Sequence, residues 1–74
     1  MAIFKFKAKN MKSGESVKVE IFLGGKSRGF TPSTRDGDLI VETSQSGSYD
    51  WYAKRSGSKV DEGRSSGGKI LVSV

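Results

Sequence analysis

Between Ala2 and Leu23, apolar and polar side chains alternate with a period of two. Phe4, Phe6 and Ala8 are interleaved with Lys5, Lys7 and Lys9, and further on Val17, Val19, Ile21 and Leu23 are interleaved with Lys18, Glu20 and Phe22. Successive side chains of a strand point to opposite faces, so the pattern predicts half-buried strands rather than helix. Lys12-Ser13-Gly14-Glu15 between the two runs reads as a turn. With Ser13 and Gly14 as loop residues, Ala8 faces Val19, Phe6 faces Ile21 and Phe4 faces Leu23, apolar against apolar at each pair. The expectation is a hairpin with a core face and a cationic face. On the cationic face Lys7 meets Glu20, Lys5 meets Phe22, and Lys9 meets Lys18, a like-charge pair that an anion would relieve.

Gly24-Gly25 ends the second run, and residues 24–38, which include Pro32, read as a long loop pinned by Phe30, with a short strand around Arg28–Thr31. A turn at Arg35-Asp36-Gly37-Asp38 leads into a strand at Leu39–Thr43. The next strand is Ser48–Lys54, with Tyr49, Trp51 and Ala53 on one face. Joined through Gln45-Ser46-Gly47, these two strands pair Thr43 with Tyr49, Val41 with Trp51 and Leu39 with Ala53. Ile40 then meets Tyr52 on the reverse face, and Glu42 meets Asp50 unfavourably. Ser56-Gly57 forms a tight turn into Ser58–Asp61, with Ala53 facing Val60, and residues 62–68 read as a flexible loop. Lys69–Val74 is apolar on nearly both sides, which suits a central or barrel-closing strand. No stretch has helical periodicity. The fold class is therefore all-β: a five- to six-stranded antiparallel small barrel or strongly twisted sheet, one domain over residues 1–74.

Composition narrows the function. Lysine and arginine number 13 against 8 acidic residues, a formal charge of +5 that favours nucleic acid, acidic protein surfaces or anionic lipid as partners. Hydrophobic residues make up 34%, a thin core for a small domain, so self-association is a further route to stability. The chain has no cysteine and no histidine. Disulfides and thiolate or imidazole zinc sites are thereby excluded, and the absence of cysteine fits a reducing cytoplasm. The commonest general base and the strongest nucleophile are missing, so an enzyme is not expected and no cofactor is implied. Asp36-Gly37-Asp38 lacks the remaining oxygens and distal glutamate of a calcium loop. Gly24-Gly25-Lys26-Ser27 lacks the first glycine and the following helix of a phosphate-binding loop. No apolar run suits a signal peptide or approaches the about 20 residues of a transmembrane helix.

What remains is a set of cations among aromatic rings: Lys5, Lys7, Lys9, Lys18 and Phe22 on the hairpin, Tyr52 and Lys54 after Trp51, and Arg28 and Phe30 with Arg35 in the long loop. Small barrels hold single strands by stacking bases on exposed rings beside a cationic groove. The first expectation is a non-enzymatic module that binds nucleic acid through this lysine and aromatic face. A protein-interaction or assembly subunit, as in a phage or a bacterial surface structure, is the alternative, in which the lysines simply solvate a sheet face and protect its edge. Carbohydrate binding through Tyr49, Trp51 and Tyr52 is a third.

Overall fold

The computed structural model describes all 74 residues, folded as seven β-strands without helix. These are β1 (Ala2–Lys9), β2 (Glu20–Leu23), β3 (Lys26–Phe30), β4 (Leu39–Thr43), β5 (Tyr49–Arg55), β6 (Ser58–Ser65) and β7 (Gly68–Ser73). They form two sheets, β4-β1-β7 and β3-β2-β5-β6, with no ladder joining one sheet to the other. The all-β class follows the period-two reading, and the short strand expected near Arg28–Thr31 is β3. No helix is long and apolar enough to cross a membrane.

The expected β1–β2 hairpin does not form. The two runs lie in different sheets, linked at the turn by a bridge from Lys9 to Ser16 and by hydrogen bonds from the Val17 amide to the Ala8 carbonyl and from the Asn10 amide to the Glu15 carbonyl. Asn10 explains the turn between them: its side-chain oxygen accepts the amides of Lys12 and Ser13, and its carbonyl accepts the amide of Gly14. The loop is thereby a wider, self-closed turn from which the chain crosses to the second layer. Phe4, Phe6 and Ala8 meet Val19, Ile21 and Leu23 in one buried cluster between the layers instead of side by side within one sheet. Both arrangements bury the same faces, so the alternation is the same in each.

The other expected hairpin, β4 with β5, is replaced for the same reason. β4 pairs antiparallel with β1, placing Val41 beside Phe4 and Leu39 beside Phe6. β5 pairs with β2, placing Ala53 beside Ile21 and Trp51 beside Leu23. Glu42 then lies beside Ile3, and Asp50 beside Arg64, which removes the unfavourable Glu42–Asp50 pairing. Phe6 meets Trp51 edge-on across the layers, with ring centroids 5.8 Å apart.

Two tight turns organise the second sheet. Gly24 and Gly25, both at positive φ, turn β2 into β3, so the expected long loop shrinks to residues 31–38. Ser56 and Gly57, also at positive φ, make the expected turn from β5 to β6. A bulge then shifts the register so that Ala53 faces Asp61 and not Val60. β6 continues to Ser65 through the stretch expected to be a flexible loop. β7 lies at a sheet edge and runs parallel to β1; β1, not β7, is the central strand of that sheet. Ile70 and Val72 enter the core while Leu71 stays exposed.

Side chains close the open seams. Asp61 accepts the Ser73 amide at 3.0 Å, joining β6 to β7. The buried Thr31 hydroxyl accepts the Val19 amide and donates to the Val17 carbonyl, and the Thr31 amide donates to the Val19 carbonyl. The two segments that leave the second sheet, before β2 and after β3, are thus tied to each other, and their buried backbone groups are satisfied.

Candidate cation and aromatic faces

Because β1 and β2 lie in opposite layers, the expected single site splits into two. Lys5, Lys7 and Lys9 project from the outer face of the first sheet. Lys18, Phe22, Phe30, Tyr52 and Lys54 gather on the outer face of the second. Arg28 is the extra residue of a bulge on the exposed edge strand β3. The expected contacts Lys5–Phe22, Lys7–Glu20 and Lys9–Lys18 are therefore absent. Lys5 instead lies between Ile40 and Lys69, Lys7 beside Leu71, and Lys9 beside Ser73.

On the second sheet, register builds an ordered array. Phe22 and Tyr52 are direct cross-strand neighbours, and their half-buried rings stack with centroids 4.7 Å apart and planes within 6°. The Lys54 ammonium lies 5.4 Å from the Phe22 centroid and 5.9 Å from that of Tyr52. Lys59 lies 5.3 Å from the Tyr52 centroid. Phe30, 53% exposed, carries Lys18 at 5.1 Å from its own centroid. Each ring thus keeps a cation in reach, the arrangement that the negative face of an aromatic ring favours.

Two carboxylates interrupt this field. Glu20 sits between Phe30 and Lys54 in the ladder and accepts the Ser27 hydroxyl at 2.6 Å. Glu62 pairs with Lys59 at 2.8 Å. That hydrogen bond, and secondarily the carboxylate's charge, raises the Lys59 pKa above its ordinary 10.5. Lys59 did not figure among the expected site residues. The two-residue Ser56-Gly57 turn sets it beside Lys54, and the bulge beyond that pair, which no local sequence signal marks, is what places its partner Glu62 opposite Tyr52.

Trp51 is buried and Tyr49 packs edge-on against Phe4 with centroids 5.8 Å apart, so of the three rings considered for sugar stacking Tyr52 alone belongs to an outer face. On the first sheet, an open cleft of about 590 Å³ beside Lys7, Lys9 and Arg35 is lined without apolar side chains, and Glu15 and Asp36 share it. Lys7 donates to the Arg35 carbonyl there. No group of three or more acidic residues converges as a metal cage would require. No protein-family model, curated protein or solved structure matches the chain.

Proposed function

We propose that the protein is a non-enzymatic binding module for single-stranded nucleic acid, which it takes up on the outer face of the second sheet. The observation that supports this is the Phe22–Tyr52 stack with Lys54 and Lys59 over its rings and Lys18 over Phe30. An exposed cation–π contact contributes about 0.5–1 kcal/mol. A base stacked on the same ring contributes about 1–3 kcal/mol. Exchange of a lysine for a base on a ring face is therefore favourable, and the released ammonium is left beside the strand to neutralise a phosphate. The binding is insensitive to sequence, since every base has a face to stack.

Anisotropy of a labelled single strand at two salt concentrations tests the proposal. Binding tighter than about 100 μM at low salt, weakening as salt rises, is expected of phosphate contacts. Tyr52→Ala should lower affinity about 5- to 150-fold, the equivalent of one lost stack. Absence of binding at low salt, or full retention of affinity in Tyr52→Ala and Phe22→Ala, would end it.

A further inference from the structure

The outer face of the first sheet has a different chemistry. Ile3, Ile40 and Leu71 are 43%, 57% and 52% exposed, and register sets them among lysines. Lys5 stands between Ile40 on one side and Lys69 on the other; Lys7 stands beside Leu71, and Lys9 beside Ser73. Lys5 and Lys69 are like charges on adjacent strands at the same level, an arrangement that costs stability unless an anion faces it. Glu42, beside Ile3, is the sole carboxylate in this part of the ladder; Asp36 and Asp38, from the loop before β4, line one cleft with Lys5, Lys7 and Lys69. There is no aromatic residue in these outward rows.

We infer that this face docks on an anionic lipid bilayer surface. A lipid surface uses both components at once: aliphatic side chains enter the boundary between headgroups and acyl chains, while lysines reach the phosphates and carboxylates. Each alternative occupant leaves one component idle or opposed. A second copy packed face to face would set lysines against lysines. A nucleic acid would engage the lysines and leave the aliphatic side chains in water. A stable protein partner would need a central anchor, commonly aromatic or arginine, seated in a pocket. Here three aliphatic side chains are dispersed between charges over a sheet surface, a pattern that asks for no shape complementarity.

Co-sedimentation of the full chain with phosphatidylcholine vesicles, and with vesicles containing about one-third phosphatidylserine, tests the inference. Partition onto the anionic vesicles should exceed that onto neutral ones by at least about tenfold and should fall as salt is raised. Lys5→Glu with Lys69→Glu should abolish the preference. Ile40→Ser with Leu71→Ser should reduce partition several-fold while the salt dependence persists; these residues are exposed, so circular dichroism should show the fold unchanged. Equal partition onto both vesicles, none onto either, or indifference to the aliphatic substitutions overturns the inference, the last outcome leaving a site for soluble polyanions. Tyr52→Ala, on the opposite sheet, should leave vesicle binding intact, so failure of the nucleic-acid proposal and failure of this one read out separately.

Discussion

The Trp51 indole fills the space that a side chain at Gly63 would need. The two residues are paired directly across β5 and β6, and a Cβ at position 63 would fall 2.9 Å from Cζ2 and 3.0 Å from Cε2 and Nε1 of the indole. Gly63 does not have a positive φ, so the constraint is steric and not conformational. Gly63→Ala gains about 0.4–1 kcal/mol by restricting the unfolded chain. It loses about 1–3 kcal/mol by displacing a buried ring that packs against Phe6. The expected result is net destabilisation, measured by urea denaturation followed through Trp51 fluorescence. A raised urea midpoint would contradict the packing argument.

That contact also shows which features the sequence carries and which it does not. Phe4, Phe6, Ala8, Val19, Ile21, Leu23 and Trp51 are buried as alternation predicts, because period two fixes which side of a strand faces inward. It does not say whether two inward faces meet within a sheet or across two. The β1–β2 pairing turns on this point: the two strands meet across the layers, so the lysines of β1 lie on the opposite surface from Phe22. Ser56-Gly57 was legible because its turn chemistry is local. β3 was legible only as a short strand near Arg28–Thr31 and the end of β6 not at all, since edge strands such as Lys26–Phe30 bury few side chains and show no alternation. Lys54 and Tyr52 were legible as outward residues, and Lys59 follows from the Ser56-Gly57 turn; that Glu62 and not Asp61 lies opposite Tyr52 depends on a bulge.

Thr31 ties the segment that leaves β3 to the segment that enters β2. Its hydroxyl is the acceptor for the Val19 amide at 3.0 Å and the donor to the Val17 carbonyl at 2.9 Å. Thr31→Val keeps the shape but leaves these backbone groups without that partner, which should cost about 1–3 kcal/mol. In a domain of this size each kcal/mol lowers Tm by about 4–8 °C. Thr31→Ser keeps the hydroxyl and should lose clearly less. Equal Tm for the two variants would mean that the bond contributes nothing.

Asp61 serves the other seam. Its carboxylate accepts the Ser73 amide on β7 and, through its second oxygen, the Glu62 amide. Asp61→Ala should therefore speed hydrogen exchange at Ser73 while β1 amides at the centre of the sheet keep their protection. Uniform acceleration at all amides would instead indicate a global loss of stability.

Lys59 and Glu62 make a pH-dependent pair of known sign. The Lys59 pKa is raised in the folded state, so its contribution is present below the unfolded value near 10.5 and is lost as pH rises through the higher folded value. Glu62→Gln should return the Lys59 titration toward 10.5, as followed by NMR at the side-chain Cε. The pair is exposed, so the neutral-pH stability should hardly change. An unaltered titration in the variant would show that the hydrogen bond is not maintained in solution.

Glu20 offers a gain-of-function test of the proposed nucleic-acid face. Its carboxylate lies between Phe30 and Lys54 in the ladder, at the centre of the cations and rings, where an incoming phosphate would meet a like charge. Glu20→Gln keeps the side-chain length and an oxygen that can still accept the Ser27 hydroxyl. The local array should persist while the repulsion disappears. Affinity for a single strand should rise about two- to fivefold at low salt, and the advantage should shrink as screening shortens the reach of the charge. Combined with Tyr52→Ala, the gain should remain while the absolute affinity drops, since stacking and phosphate attraction act through different atoms. If Glu20→Gln binds no better than the parent chain at low salt, the strand does not pass over this part of the sheet.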